Sequence, residues 1–147
     1  MLKHAAIFFD ADALIAGAAS RSGASFVLLQ LCELGLLQGL TCTQVISECR
    51  KNLQLKLPQA VPVFETLVER TLTVHRNPSR KELEDYPNMA DPKDLPILVA
   101  AILQNADYLV TFNTRHFFPD PATGLTVCKP GELLQTIRQM LNRLTDE

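Results

Sequence analysis

Two acidic residues follow directly on an apolar run near the start of the chain. In "FFDADALIAG", Asp10 and Asp12 end the run 5–9. Carboxylates at the end of a buried strand are costly unless something there favours negative charge. Three kinds of chemistry fit this pair: a turn or helix start, a phosphatase nucleophile with its proton donor, and a divalent-metal site. The pair alone leaves all three open.

Further oxygen-bearing side chains occur at places where a site could form. Glu48 lies in a predicted helix, Asp94 near the start of another, and Asn113 after a second apolar strand. Each also has an ordinary interpretation: a solvated helix edge, a first-turn acid stabilised by roughly 0.3–1 kcal/mol through the helix dipole, and a turn residue. Asp91 is predicted to be the N-cap of this second helix, with Asp94 at the third position of its first turn. Only their convergence would indicate a site.

Strands and helices alternate along the chain. Hydrophobic patterns predict strands at 4–9, 40–42, 71–75, 108–112 and 125–128. They predict helices at 24–38, at 45–56 with Thr43 as cap, at 59–70, from Asp91 through "ADPKDLPILVAAILQNA", and at 130–144. This order predicts an α/β fold with a parallel sheet covered on both faces. Carboxyl ends of parallel strands share one edge, so the acids and Asn113 should converge there.

The amino-acid composition indicates the number of domains and whether the protein enters a membrane. The 147 residues are 47% apolar and 20% charged, which predicts one globular domain over 1–147. The apolar runs are too short to span a bilayer, and Asp10 and Asp12 would interrupt a signal peptide. We therefore expect no membrane association.

The net charge and the cysteines bear on nucleic-acid binding and on the redox state of the protein's location. The formal charge of −2 gives no general attraction to nucleic acid, so RNA binding would need a local patch such as Arg50–Lys51 or Arg115. Four cysteines without a CxxC pair predict free thiols in a reducing, cytoplasmic location. Phe112 and Phe117 are predicted to lie in the core rather than to stack on bases.

Three segments together resemble the PIN-domain family of metal-dependent ribonucleases, which includes toxin nucleases of bacterial toxin–antitoxin pairs. In "FFDADALIAG" Asp10 matches the first family acid, and in "VISECRKNL" Glu48 matches the second. In "DPKDLPILVAAILQNADYLVTFNTRHF" Asp94 matches the third. The "VTFN" sequence matches a subgroup with Asn113 in place of the fourth Asp, and His116 stands where many relatives carry another Asp. The resemblance covers nearly the whole chain.

The resemblance implies a PIN-like three-layer α/β/α fold with a central, mostly parallel sheet of about 4–5 strands. It implies hydrolysis of phosphodiester bonds in single-stranded or loop RNA with Mg²⁺ or Mn²⁺. It also implies two partners, a cognate antitoxin protein and a second copy of the chain in a homodimer.

The same resemblance implies roles for individual residues. Asp10 and Asp94 would hold the principal ion, and Glu48 would orient or activate a water molecule. Asn113 would be a neutral ligand or a substrate contact. Asp12 and Asp91 would contact the metal-binding residues without binding the ion themselves, and Arg115 would contact RNA.

Two other interpretations remain. "FFDADA" also resembles haloacid-dehalogenase-type phosphatases, with Asp10 as nucleophile and Asp12 as acid/base, although Ala13 and Leu14 fit that family poorly and no lysine is well placed. Alternatively, Asn113 and His116 would mark a PIN-like module that has lost catalysis and binds RNA or a protein.

Overall fold

Five parallel strands form the centre of the fold. The computed structural model describes residues 5–145. The strands are β1 (Ala6–Phe9), β2 (Gln38–Cys42), β3 (Thr73–His75), β4 (Tyr108–Val110) and β5 (Thr126–Cys128). Their order is β3-β2-β1-β4-β5, and every neighbouring pair is parallel. The predicted α/β fold is confirmed.

Strand β1 is central because its four residues are apolar and buried on both faces of the sheet. It pairs with β2 on one side and with β4 on the other. The strand order therefore reverses at β1, and a crevice forms beyond the carboxyl ends of strands at such a point. Asp10 is the first residue beyond β1.

Seven helices flank the sheet in the described residues: α1 (Ala11–Ala19), α2 (Ala24–Glu33), α3 (Thr43–Lys56), α4 (Val61–Thr71), α5 (Arg80–Leu83), α6 (Leu95–Leu103) and α7 (Pro130–Thr145). Helix α1 packs against α2, α3 and α4, and α2 also contacts α7. Helix α6 packs on β2 and α5, and residues 97–101 of α6 are all buried. No single helix within 5–145 is long and apolar enough to cross a membrane; α1 and α2 reach that length only as a pair bent by 91°.

The helices differ from the sequence prediction in number and in their boundaries. Neither α1 nor α5 was among the predicted helices. Helix α2 ends at Glu33 rather than at 38, because Gly35 adopts a left-handed φ of 79° that no helix continues through. The chain then enters β2 at Gln38, whose N–H donates to the Ala5 carbonyl at 2.9 Å.

Two predicted helix caps are wrong. Thr43 is the first residue of α3 rather than its cap, and its hydroxyl donates to the His75 carbonyl at 3.2 Å. Asp91 does not cap α6; the N-cap is Asp94, and residues 92–94 form a turn before the helix. The carbonyl oxygen of Asp91 accepts the Asp94 and Leu95 N–H groups, so its carboxylate is free for other contacts.

All four cysteines of the chain are free in the structure. Cys32, Cys42 and Cys49 are buried, and burial raises the pKa of the Cys32 thiol to about 12. These thiols pack as small apolar groups.

Candidate active site

A pocket of about 410 Å³ lies at the edge where β1 and β4 end. Its lining residues come from four separate segments and are mostly polar: Asp10, Ala11, Asp12, Ile15, Glu48, Asn52, Lys93, Asp94, Asn113 and His116. All four predicted catalytic residues and Asp12 are thus brought together. Arg115 is exposed, and neither Arg115 nor Asp91 lines the pocket, although Asp91 contacts the lining residues Asp94 and His116.

Asp10 sits where β1 turns into α1. It is the N-cap of α1, and its Oδ1 accepts the Ala11 N–H at 2.8 Å. Its Oδ2 accepts the hydroxyl of Thr111 at 2.9 Å. Its own N–H donates to the Val110 carbonyl at 3.0 Å, which fixes the residue between two strands. Asp10 therefore fills both the capping role and a position in the pocket, with only 8% of its surface exposed.

The pocket disfavours negative charge when no cation is present. Burial raises the pKa of Asp10 to about 6, and the nearby charges of Asp12 and Glu48 add to this rise. The Ala11 N–H and the Thr111 hydroxyl oppose it. Burial also raises the pKa of Asp12. A bound cation would offset this repulsion between carboxylates.

Asp12 links the start of α1 to the segment after β4. Its Oδ2 accepts the main-chain N–H of Phe112 at 3.0 Å and the side-chain amide of Asn113 at 3.1 Å. The Thr111 hydroxyl lies 3.4 Å from both Asp12 oxygens. The amide nitrogen of Asn113 is thus used within the protein, and its amide oxygen is the atom that can act as a ligand.

Helix α3 contributes Glu48 and Asn52 from one face. Residues four apart on a helix are neighbours on its surface, so this spacing could have identified Asn52 from the sequence. The thiol of Cys49 lies 3.6 Å from the Ala11 carbonyl and packs α3 onto α1. Glu48 itself is exposed, with the Gln44 amide 3.5 Å from its Oε1. This packing places the Glu48 carboxylate across the pocket from Asp10.

Asp94 is paired with a histidine that sequence reasoning treated only as a departure from a family pattern. The Nδ1 of His116 lies 3.1 Å from Asp94 Oδ2 and 3.9 Å from Asp91 Oδ2. Among the His, Cys, Asp and Glu residues within 5–145, one group of three has potential metal-ligand atoms that all lie within 4.8 Å of one another. Its members are Asp91, Asp94 and His116. The Asp91 N–H donates to the His116 carbonyl at 2.9 Å, so the backbone holds the two segments together.

The sequence prediction missed Lys93 in the pocket and wrongly assigned Phe112 to the core. Lys93 is a cation among the lining carboxylates, and only its position beside Asp94 could have indicated this. Phe117 is a core residue as predicted, with 6% exposure, but the prediction for Phe112 is wrong because 47% of it is exposed. Phe112 lies beyond the end of β4, where the sheet no longer covers it.

The chain matches a known family over most of its length. The family described as "PIN domain" matches residues 6–115. No curated protein sequence matches the chain. Among solved structures it is similar to a chain in the crystal structure of VapBC2 from Rickettsia felis bound to a DNA fragment from their promoter. That match has a TM-score of 0.60 and 17% identity, and it covers 84% of this chain and 98% of the other. At this identity the likeness shows the fold alone.

Proposed function

The chain belongs to the PIN domain family, and from that premise we propose that it is a metal-dependent endoribonuclease acting on single-stranded or loop RNA. The observation that carries the proposal is the convergence of Asp10, Glu48 and Asp94 on one pocket. These residues come from three segments far apart in the sequence. Carboxylates so arranged are the ligands that hard divalent cations prefer.

The donor set fits Mg²⁺ or Mn²⁺. The pocket offers carboxylate oxygens from Asp10, Glu48 and Asp94 and the amide oxygen of Asn113. The pKa of Asp10 is raised first by burial and then by the nearby charges of Asp12 and Glu48, and a cation would relieve that repulsion. When bound, such an ion neutralises charge on a phosphate and lowers the pKa of a coordinated water.

The proposal gives each residue a role that its contacts support. Asp10 and Asp94 would hold the principal ion, Asp10 oriented by Thr111 and Asp94 by His116. The exposed Glu48 would orient the attacking water and accept its proton. Asn113 would act as a neutral ligand or contact the RNA through its amide oxygen.

Asp12 and Asp91 would support the site without binding the principal ion. The Asp12 carboxylate holds the segment of Phe112 and Asn113 in place, and Asp91 faces His116. The contacts of Asp12 argue against a phosphatase that uses it as acid/base, because its Oδ2 already accepts two N–H groups from the segment after β4. The phosphatase interpretation also leaves Glu48 without a role in the reaction.

The proposal extends to the biological context. The Rickettsia felis structure contains VapBC2, and we propose that this chain is likewise a toxin-type nuclease that works in the cytoplasm. A cognate antitoxin protein and a homodimer would be its partners. The retained acids favour this over a module that has lost catalysis, because Asp10, Glu48 and Asp94 all line the pocket.

Cleavage of a fluorescently labelled single-stranded RNA in Mn²⁺ tests the proposal. We expect cleavage by the wild type, none in EDTA, and a loss of at least about a hundredfold in Asp94→Asn. Asp85→Asn, an exposed acid outside the pocket, is the matched control and should cleave normally. Cleavage that persists in EDTA and in Asp94→Asn would refute the proposal.

A further inference from the structure

Exposed phenylalanines are concentrated beside the pocket. Of the seven phenylalanines in the chain, Phe112 and Phe118 are the two classed as exposed in residues 5–145, at 47% and 49%. Both belong to the segment 112–118, whose Asn113 and His116 line the pocket. Aromatic side chains normally contribute their area to the core, so two exposed rings within one short segment indicate a contact surface.

We propose that Phe112 and Phe118 form a stacking platform for unpaired bases of the RNA strand that enters the pocket. This proposal rests on the proposed function and names the residues that would select single-stranded RNA. Stacking on an aromatic ring suits unpaired bases because every base presents a π-face, whereas bases within a duplex are already stacked.

Hydrogen bonds hold the backbone on both sides of the platform. The Phe112 N–H donates to Asp12, and the Phe118 N–H donates to the Met89 carbonyl at 2.8 Å. An antiparallel bridge between Ala90 and Phe117 adds to this restraint. A platform held in advance loses little conformational freedom when a base stacks on it, which favours binding.

Charge around the platform favours a nucleic acid over an apolar protein surface. Arg115 is exposed and lies between the two phenylalanines in the sequence, and Lys93 lines the pocket. Within residues 5–145 neither cation has a carboxylate within ion-pair distance. Cations and aromatic rings on one surface suit the phosphates and bases of a single strand.

Because the chain contains no tryptophan, a single substitution makes a clean reporter. Phe112→Trp would be titrated in EDTA, to prevent cleavage, with an unstructured oligoribonucleotide of about twelve nucleotides. The control is Leu36→Trp, at an exposed position before the amino end of β2, on the opposite edge of the sheet. Phe118→Trp would report the second ring.

Saturable quenching of Phe112→Trp and Phe118→Trp, but not of Leu36→Trp, is the expected result. The matching RNA duplex should quench them far less. Equal quenching at all three positions, or quenching of neither platform position, would overturn the proposal and would leave a protein partner as the use of this surface.

Affinity measurements separate the platform from the nuclease proposal. Phe112→Ala should weaken binding of the oligoribonucleotide about 5- to 150-fold, and Phe112→Tyr should restore it. Unchanged affinity in Phe112→Ala, with wild-type cleavage intact, would overturn the platform alone. Weakened affinity in Phe112→Ala, with no cleavage by the wild type, would support the platform and overturn the nuclease proposal.

Discussion

The side-chain amide of Asn113 donates to the carboxylate of Asp12 at 3.1 Å, across 101 positions of the sequence. The same Asp12 oxygen accepts the Phe112 N–H at 3.0 Å. Asp12, the acid nearest to Asp10 in the sequence, therefore holds the segment beyond β4 against the start of α1. This contact explains why an acid follows Asp10 so closely: it positions Asn113 at the pocket.

Removing this link should loosen the fold. Asp12→Ala leaves the Phe112 N–H and the Asn113 amide without their acceptor, and we expect the free energy of unfolding to fall by about 1–2 kcal/mol. Urea unfolding of the metal-free protein measures the change. Asp85→Ala, an exposed acid in a loop, should change it by less than about 0.5 kcal/mol. A similarly small change in Asp12→Ala would contradict the account.

The metal-free protein should lose stability as the pH rises through the pKa of Asp10. Because this pKa is raised from 3.8 to about 6 in the fold, its contribution to stability is fully present below about pH 4 and is lost above about pH 6. The difference corresponds to ~3 kcal/mol. Unfolding measured in EDTA between pH 4 and 7 tests this. The decline should be smaller by that amount in Asp10→Asn; equal declines in both proteins would refute it.

The hydroxyl of Thr111 should tune metal binding. It donates to Asp10 at 2.9 Å and holds the pKa of that carboxyl down. In Thr111→Val the proton competes better with the cation, so the pH midpoint of Mn²⁺ binding should rise by roughly one unit. Thr41→Val removes another buried hydroxyl of the same sheet, which donates to the Phe9 carbonyl, and should leave the midpoint in place. A shift of the same size in both variants would exclude a specific effect on Asp10.

His116 should matter for Mn²⁺ affinity through Asp94. Their 3.1 Å contact orients the carboxylate, and the loss of such a supporting partner typically weakens metal binding 10- to 100-fold. We expect a loss in that range for His116→Ala by calorimetry. The exposed His75 provides the control as His75→Ala. Unchanged affinity in His116→Ala would mean that Asp94 is oriented by other contacts.

Local patterns predicted the main features of the fold and the site for physical reasons. The apolar run of β1 and the "YLV" of β4 are buried on both faces or nearly so, which leaves continuous apolar sequence as their signature. Because the strands are parallel, the residues after them meet at one edge. The convergence of Asp10 and Asn113 could therefore be predicted without any knowledge of side-chain contacts.

Other features depend on tertiary contacts that leave no local pattern. The end of α2 at Glu33 lies within a leucine-rich stretch that continues to Leu37, and the left-handed Gly35 ends the helix there. The N-cap of α6 is Asp94 rather than the predicted Asp91, and the Asp94 carboxylate contacts His116 rather than a helix N–H. The exposure of Phe112 depends on where β4 ends. The single-domain organisation over 1–147 stays a prediction.

Calorimetric titration of Mn²⁺ into the wild type and Glu48→Gln tests the central claim most directly, because it requires no knowledge of the RNA target. We predict binding by the wild type, binding about tenfold weaker in Glu48→Gln, and unchanged binding in Glu69→Gln, an exposed acid on α4. Wild-type affinity in Glu48→Gln, or no binding by the wild type, would contradict a metal site built from Asp10, Glu48 and Asp94.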